Sequence, residues 1–166
     1  MTREEFEAAA QKFLSRLFDA IDNHFQINLD DLALDHVCWR CKTKLDFEAM
    51  EKNLFGFATL FHKSIHNGRN ISLFQLNSPL SYKHRRIDLI ELPAPKQGKD
   101  YPNGFEHAEF VSKTPLETWV TNHPHLSWNT KNINKIINPD IKLRHENLAL
   151  KLHPYTLAYV VKHLEV

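Results

Sequence analysis

The sequence predicts an α+β fold built from two tandem β-α-β-β-β units with an additional N-terminal helix. Three observations predict this fold. The chain as far as Phe25 has helical hydrophobic periodicity, the same order of strand and helix patterns then occurs twice, and each half carries an acid-histidine pair at the matching point. A length of 166 residues, with 42% apolar and 25% charged residues, suits one globular domain over residues 1–166.

The first predicted element is an amphipathic helix from Glu4 to Phe25. Its apolar residues recur at intervals of three, four and seven, which places them on one face: Phe6, Phe13, Leu14, Leu17, Phe18, Ile21 and Phe25. Residues 1–33 are therefore interpreted as a helix, with one face packed on the rest of the chain, and its connection.

The first β-α-β-β-β unit is predicted over residues 34–97. Alternation of apolar and polar residues and turn signals give a strand, a helix that ends near Gly56, and three further strands. The ranges are Leu34 to Cys41, Leu45 to Phe57, Ala58 to His66, Ile71 to Leu76 after the turn Asn67-Gly68-Arg69, and Ile87 to Leu92.

The second unit is predicted over residues 98–166. It starts with a strand from Phe105 to Val111, followed by a helix from Pro115 to about His123 with Thr114 as its N-cap. The asparagine-rich stretch up to Pro139 predicts a loop. The remaining elements are strands at Ile141 to Arg144 and Leu148 to His153, and a helix at Thr156 to His163.

The two halves align with each other, which indicates an internal duplication. At an offset of 71 residues, Asp35-His36 falls on Glu106-His107 and Lys42-Thr43 falls on Lys113-Thr114. At an offset of 60 residues, Glu91 falls on Lys151 in the last strand of each unit. Each strand that carries an acid-histidine pair therefore leads into a Lys-Thr turn and a helix.

Charge and composition exclude several classes of function. The net charge of +1 provides no strong field for nucleic acid or anionic lipid, and His84-Arg85-Arg86 is interpreted as a solvated turn. No apolar stretch approaches the ~20 residues of a membrane span, and the acidic N-terminus does not resemble a secretory signal, so we expect a cytoplasmic protein. Cys38 and Cys41 are interpreted as reduced thiols, and four glycines form no phosphate-binding loop.

The repeated unit resembles the vicinal-oxygen-chelate superfamily of glyoxalases, extradiol dioxygenases and bleomycin-resistance proteins. Within it, five segments look like the YecM-like family: residues 35–41, Asn67-Gly68-Arg69, Ile90-Glu91-Leu92-Pro93, residues 101–109 and Lys151-Leu152-His153-Pro154. The resemblance covers nearly the whole chain. It implies a cupped, mixed or antiparallel sheet around a metal ion.

The resemblance also implies where the metal ligands lie, because in this superfamily they come from the first and last strand of each unit. Those positions hold His36, Glu91, His107 and Lys151. An ammonium group is a poor ligand, so we expect three ligands: His36, Glu91 and His107. Two imidazoles and a carboxylate suit Fe(II) or Mn(II), and Zn(II) and Ni(II) stay open.

Strand alternation places further polar residues near these ligands. Glu109 shares the face of His107 and is the candidate general base, with an alternative ligand or an ion-pair partner as the other interpretations. Arg40, Lys151 and His153 are candidates for holding an anionic substrate group, and an ion-pair partner is the other interpretation of Arg40. Lys151 is alternatively a cation that neutralises Glu91 in a site without metal.

The sequence therefore predicts a cytoplasmic metal-dependent isomerase, lyase or oxygenase for a small oxygen-rich acid. A non-catalytic protein that binds a small molecule in the same cup is the alternative, and a metal-free interaction domain is a third. The expected partner is a small molecule rather than nucleic acid or a membrane, and homodimerisation stays open.

Overall fold

The computed structural model describes residues 1–66 and 68–164, which form two compact units. The first comprises Met1–Ser15 and His36–Glu106, and the second Arg16–Asp35 and His107–Val166. These bounds divide the N-terminal helix between the units, whereas the sequence predicted divisions after residues 33 and 97. That residues 1–166 behave as one domain stays a prediction.

The chain begins with helix α1, Arg3–Asp19, which continues into a π-helical turn, Ala20–Phe25. Gln26 ends the turn in the left-handed conformation with φ 55°. All seven apolar residues of the predicted face are buried, so the amphipathic helix is confirmed. The wider π turn at its end was not predicted.

The first unit contains four strands and one helix after α1. Their order is β1 (Ala33–Arg40), α2 (Lys44–Leu54), β2 (Ala58–His66), β3 (Arg69–Tyr82) and β4 (Arg85–Pro93). The strands lie in the order β2-β3-β4-β1, with β1 parallel to β4 and the other two pairings antiparallel. The predicted β-α-β-β-β unit is confirmed.

The second unit repeats this arrangement. Its elements are β5 (Gly104–Val111), α3 (Leu116–Asn122), β6 (Asn129–Asn132), β7 (Asp140–His145), β8 (Leu148–His153) and α4 (Leu157–His163). The strands lie in the order β5-β8-β7-β6, with β5 parallel to β8. The second β-α-β-β-β unit and the final helix are therefore confirmed, and the chain has the predicted α+β fold.

The pairing register of the two units agrees with the two offsets found in the sequence. In the first unit Cys38 pairs with Glu91, and in the second Glu109 pairs with Lys151. Adding 71 residues on the first strand and 60 on the fourth converts the first pair into the second. Equivalent positions of the two units can therefore be compared directly.

Each unit has an aromatic cluster that holds its part of α1. In the first unit Phe6 packs against Trp39, Phe57 and Phe105, with ring centroids 6.0, 5.2 and 5.1 Å away. In the second unit the ring of Phe18 meets Phe110 edge-on at 6.0 Å. These ring contacts pack α1 against β1 and β5.

Four expectations need correction or fall outside the described residues. The N-cap of α3 is Pro115, not Thr114, because the extended backbone of Pro115 starts the helix one residue later. The predicted loop contains β6, which pairs with β7. Arg85 is 6% exposed at the start of β4, so it is not part of a solvated turn. Asn67 of the predicted Asn67-Gly68-Arg69 turn lies outside the described residues.

The described helices were also compared with the length that a bilayer requires. Over residues 1–66 and 68–164, none is long and apolar enough to cross a membrane.

Candidate functional site

The first unit brings His36 and Glu91 together on neighbouring parallel strands. His36 lies two residues before Cys38, the register partner of Glu91, and the side chains of His36 and Cys38 point to the same face. His36 Nε2 lies 3.8 Å from Glu91 Oε2, and the side chains are 2% and 15% exposed. An imidazole and a carboxylate therefore face each other in a largely dry environment.

This separation tests whether the pair fits a metal ion. An ion with bonds of about 2.1 Å to two tetrahedrally arranged ligands holds the ligand atoms about 3.4 Å apart. The observed 3.8 Å is within a few tenths of an ångström of that value. It is also below 4.8 Å, the largest separation of ligand atoms expected around one metal ion. The donor chemistry and the spacing of His36 and Glu91 both fit a divalent ion.

A second polar group of the first unit is centred on Arg40, the last residue of β1. Arg40 Nε donates to Glu106 Oε2 at 2.7 Å, and the guanidinium lies over the ring of Tyr101, 5.4 Å from its centroid. Burial would lower the pKa of Arg40, but the charges of Cys38, Glu106 and Glu91 outweigh it and raise the pKa. Arg40 is therefore a permanent cation.

The two cysteines of the first unit are buried, and they are reduced thiols, as the sequence analysis interpreted them. Cys38 is 0% and Cys41 1% exposed, and neither forms a disulfide. Burial, with the charges of Asp46 and Cys38, raises the pKa of the Cys41 thiol to about 12. Cys41 is therefore neutral at physiological pH and lacks the thiolate character of a nucleophile.

The second unit brings together His107, Glu109 and Lys151. His107 Nε2 lies 3.0 Å from Glu109 Oε1, and the side chains are 1% and 7% exposed. The ammonium of Lys151 contacts the same carboxylate oxygen from the paired strand β8. Glu109 is thus an ion-pair partner in this structure, which was one of the three interpretations of its sequence.

His153 extends this group towards α4. Its Nδ1 donates to the carbonyl of Tyr155, and its Nε2 lies 3.7 Å from Glu109 Oε2 and 3.9 Å from Asp35 Oδ2. Asp35 also accepts from the backbone N–H of Leu157 at 2.8 Å, at the start of α4. His153 therefore stands between two carboxylates rather than facing solvent, and its side chain is 0% exposed.

Within each unit the structure assembles most of the predicted site residues. It brings His36 together with Glu91, and it brings Glu109 together with His107, Lys151 and His153. Arg40 pairs with Glu106 instead of facing solvent. The described ion pair of Lys151 is with Glu109, a partner that the sequence analysis did not assign to it.

Three residues with a role in these groups were not predicted: Asp35, Tyr101 and Glu106. Asp35 and Glu106 were noted only as the acids of the two acid-histidine pairs. Because Asp35 and Glu106 are equivalent under the 71-residue offset, the sequence contained a signal that both carboxylates make contacts in the fold. No sequence signal connects Asp35 with Leu157 across 122 residues.

Comparison with known proteins places this architecture in a family. A family model described as YecM protein matches residues 2–163. Protein YecM of Escherichia coli (strain K12) is 26% identical over 159 residues, covering 86% of this chain and 84% of the relative.

Solved structures show the fold. A structural-genomics protein, EC4020, superposes with a TM-score of 0.82 at 22% identity, covering 98% of this chain and 92% of the other. Methylmalonyl-CoA epimerase of Streptomyces coelicolor, in complex with 2-nitronate-propionyl-CoA, gives a TM-score of 0.52 at 12% identity, covering 75% and 98%. The chain therefore shares the fold of these two proteins, as the predicted repeat of two β-α-β-β-β units implied.

Proposed function

The chain belongs to the YecM family, and from the chemistry of its two polar groups we propose that it binds a divalent metal ion and acts on a small, oxygen-rich anionic substrate. The observation that carries the proposal is the His36–Glu91 pair, with its ligand atoms 3.8 Å apart and both side chains largely buried. A buried imidazole beside a carboxylate is a ligand set for Zn(II), Fe(II), Mn(II) or Ni(II).

His107 is the third ligand in this proposal. The matching registers make His107 the counterpart of His36, and it is 1% exposed. Binding through Nε2 would replace the proton that His107 shares with Glu109, because a ligating imidazole must be deprotonated at that atom. When bound, the ion supplies Lewis-acid stabilisation of an oxyanion of the substrate.

The remaining residues are proposed to bind substrate and move a proton. Glu109 is the proposed general base. Its Oε1 takes the close contacts from His107 and Lys151, and Oε2, which lies 3.7 Å from His153 Nε2, is the atom proposed to accept a proton. Lys151 holds Glu109 in place, and Lys151, His153 and Arg40 are the residues proposed to bind an anionic group of the substrate.

A substrate of this kind is consistent with an isomerase, lyase or oxygenase in the cytoplasm. The epimerase of similar fold is complexed with an acyl-CoA derivative, which supports a small-molecule ligand for this chain. Nucleic acid is not proposed as a partner, since the net charge is +1. A homodimer stays a prediction.

One observation favours a second candidate function, a small-molecule-binding protein without turnover. Lys151 already neutralises Glu109, so in the second unit the carboxylate has a protein cation beside it. A carboxylate held by an ammonium is a weaker base than one without a cation, because the charge pair favours the ionised form. Binding without catalysis would need only the cation and the metal ligands.

The test is metal content together with metal-dependent stability. We expect near-stoichiometric metal in protein purified without a histidine tag or chelator, and a rise in melting temperature with one of Fe(II), Mn(II), Ni(II) or Zn(II), since a ligand of the native state stabilises it. The double variant His36→Ala with Glu91→Ala should lose both.

The matched control is His125→Ala with Glu117→Ala, which removes one imidazole and one carboxylate from exposed positions. It should leave metal content unchanged. Unchanged metal in the double variant of His36 and Glu91 would contradict the proposal. The two candidate functions are separated by an NMR screen of enediolates and catechols with the metal-loaded protein. New product signals would indicate an enzyme, and broadening of the ligand signals without product would indicate a binding protein.

A further inference from the structure

Arg40 has a side-chain nitrogen whose hydrogen-bonding capacity the described protein does not use. The guanidinium has five N–H donors, and Glu106 accepts from Nε. Nη1 is buried and, among residues 1–66 and 68–164, has no hydrogen-bond acceptor. A buried donor without an acceptor is unfavourable, so a site of this kind gains from an acceptor that arrives with a ligand.

The surroundings of Arg40 restrict how that acceptor can approach. The side chains of Arg40 and Glu106 are 14% and 12% exposed, so their ion pair is held in a mostly dry environment. Tyr101 lies against one face of the guanidinium. With Tyr101 on one face and Glu106 at Nε, the guanidinium is held in place, and Nη1 is the donor that an arriving acceptor could use.

The charge of the oxyanion separates the candidate ligands. A carboxylate and a phosphate can both accept two hydrogen bonds from a guanidinium, but a carboxylate carries a single charge, whereas a phosphate or sulfate is more highly charged. Glu106 and Glu91 already lie close enough to affect Arg40 electrostatically, so a monoanion meets less repulsion than a dianion. The charges around Arg40 therefore favour a carboxylate.

We propose that Arg40 is a substrate-binding residue for a carboxylate group, with Glu106 and Tyr101 as the residues that position it. This inference rests on the proposed function and deepens it, because it assigns to the substrate a carboxylate distinct from the oxyanion that the metal ion would stabilise. Glu106 fixes the rotation of the guanidinium through Nε, and Tyr101 covers its face.

The test compares two metal chelators that differ in one carboxylate. Butyrohydroxamate binds a metal through its two hydroxamate oxygens, and succinate monohydroxamate has the same chelating group with a carboxylate at the other end. Titration calorimetry on the Zn(II)-loaded full chain should give a preference of about tenfold or more for the carboxylated probe, the size expected of a charge-assisted hydrogen bond.

Variants of Arg40 should remove this preference and leave the binding of butyrohydroxamate unchanged. Arg40→Gln removes the charge and Arg40→Lys keeps it without the fork, so we expect complete and partial loss respectively. The matched control is Arg86→Gln, which removes an exposed guanidinium paired with Asp88 in the same unit and should keep the full preference.

Two further variants separate binding from folding. Arg40→Gln leaves Glu106 buried without its cation, so Arg40→Gln with Glu106→Gln provides a neutral pair that keeps the fold. Glu106→Gln alone should reduce the preference for the carboxylated probe, but not the affinity for butyrohydroxamate, which a merely structural role would lower equally.

The outcomes distinguish a failure of the carboxylate site from a failure of the metal site. Equal affinity of the wild-type protein for both probes would overturn the carboxylate site and leave the metal site intact. No binding of butyrohydroxamate to protein incubated with Zn(II) would overturn the metal site and this inference together. A preference that survives in Arg40→Gln would assign the carboxylate to another residue.

Discussion

The two units have the same strand register but different side chains at equivalent positions. In the first unit Glu91 on β4 pairs with Cys38, whereas in the second Lys151 on β8 pairs with Glu109. The carboxylate of the second unit thus lies on its first strand, with a lysine at the position equivalent to Glu91. The comparison shows that the backbone of the repeat is maintained while its charge pattern differs.

This difference has an electrostatic consequence for cation binding. Glu91 faces an imidazole 3.8 Å away, a pair that fits a divalent ion. Glu109 is in contact with the ammonium of Lys151, so its charge is already compensated within its own unit. A metal ion gains less from a compensated carboxylate, because the lysine repels it. The first unit should therefore supply more of the metal affinity.

The largest effect should come from removing the carboxylate of the second unit. Glu109→Ala leaves the ammonium of Lys151 and the imidazole of His153 without their shared partner, and breaking a buried ion pair costs about 3 kcal/mol. The equivalent change in the first unit, Cys38→Ala, removes only a small buried thiol and should cost about 1 kcal/mol. Urea unfolding at neutral pH measures both values.

A variant with both substitutions, Glu109→Ala and Lys151→Met, serves as the control for this experiment. It removes both charges and should recover most of the lost free energy of unfolding, because an apolar replacement of a buried pair is often neutral. Equal costs for Glu109→Ala and Cys38→Ala would show that the ion pair contributes nothing.

A second variant restores at Lys151 the residue that its equivalent position carries in the first unit. Lys151→Glu places a carboxylate beside Glu109, so without metal the protein should lose about 2 kcal/mol through repulsion of like charges. An excess of Zn(II) should recover a similar amount, since binding at a hundred times the dissociation constant gives about 2.7 kcal/mol. Thermal unfolding with and without Zn(II) measures the difference.

Lys151→Gln is the neutral comparison for this variant and should show a smaller metal-dependent shift. If Zn(II) stabilises Lys151→Glu no more than the wild-type protein, the second unit does not contribute metal ligands. The two units would then differ in the stability of their ion pairs and not in metal binding.

Much of the fold was predictable from the sequence because it depends on local patterns. The apolar face of α1 and the strands Ala58–His66 and Leu148–His153 follow from hydrophobic periodicity, and all were found. The π-helical turn and the short β6 were missed, because a change of hydrogen-bonding pattern and an edge pairing of polar residues leave no periodic signal.

The candidate site was predictable to a different extent. Strand alternation correctly placed Glu109 beside His107, because both lie on one strand. The pairing of Arg40 with Glu106 joins residues 66 apart, and its geometry depends on how the segment before β5 returns to β1. Contacts of this kind are set by tertiary packing, so a single sequence without relatives gives no spacing rule for them.

The start of the helix in each unit gives a smaller test of the comparison. Thr43 and Asp46 form a capping box at α2, whereas the equivalent Thr114 makes no side-chain cap because Pro115 delays the start of α3. Thr43→Ala should therefore cost about 1 kcal/mol of unfolding free energy, and Thr114→Ala less than about 0.5 kcal/mol. Equal costs in urea unfolding would show that the capping box contributes no more than Thr114.

The smallest expected effect is the pH dependence of this capping box. The side-chain hydrogen bond from Thr43 is the main cause that lowers the pKa of Asp46 below its usual 3.8. A carboxyl group whose pKa is lower in the folded state stabilises the fold above its unfolded pKa, and that contribution is lost as the pH falls through the folded value.

The difference in stability between the wild-type protein and Asp46→Asn should be constant above about pH 5 and shrink below pH 3.8. Urea unfolding of the wild-type protein and of Asp46→Asn from pH 3 to pH 7 measures this dependence. A difference for Asp46→Asn that does not change with pH would mean that the carboxylate makes no folded-state hydrogen bond at the helix start, and the two units would then be alike at this position.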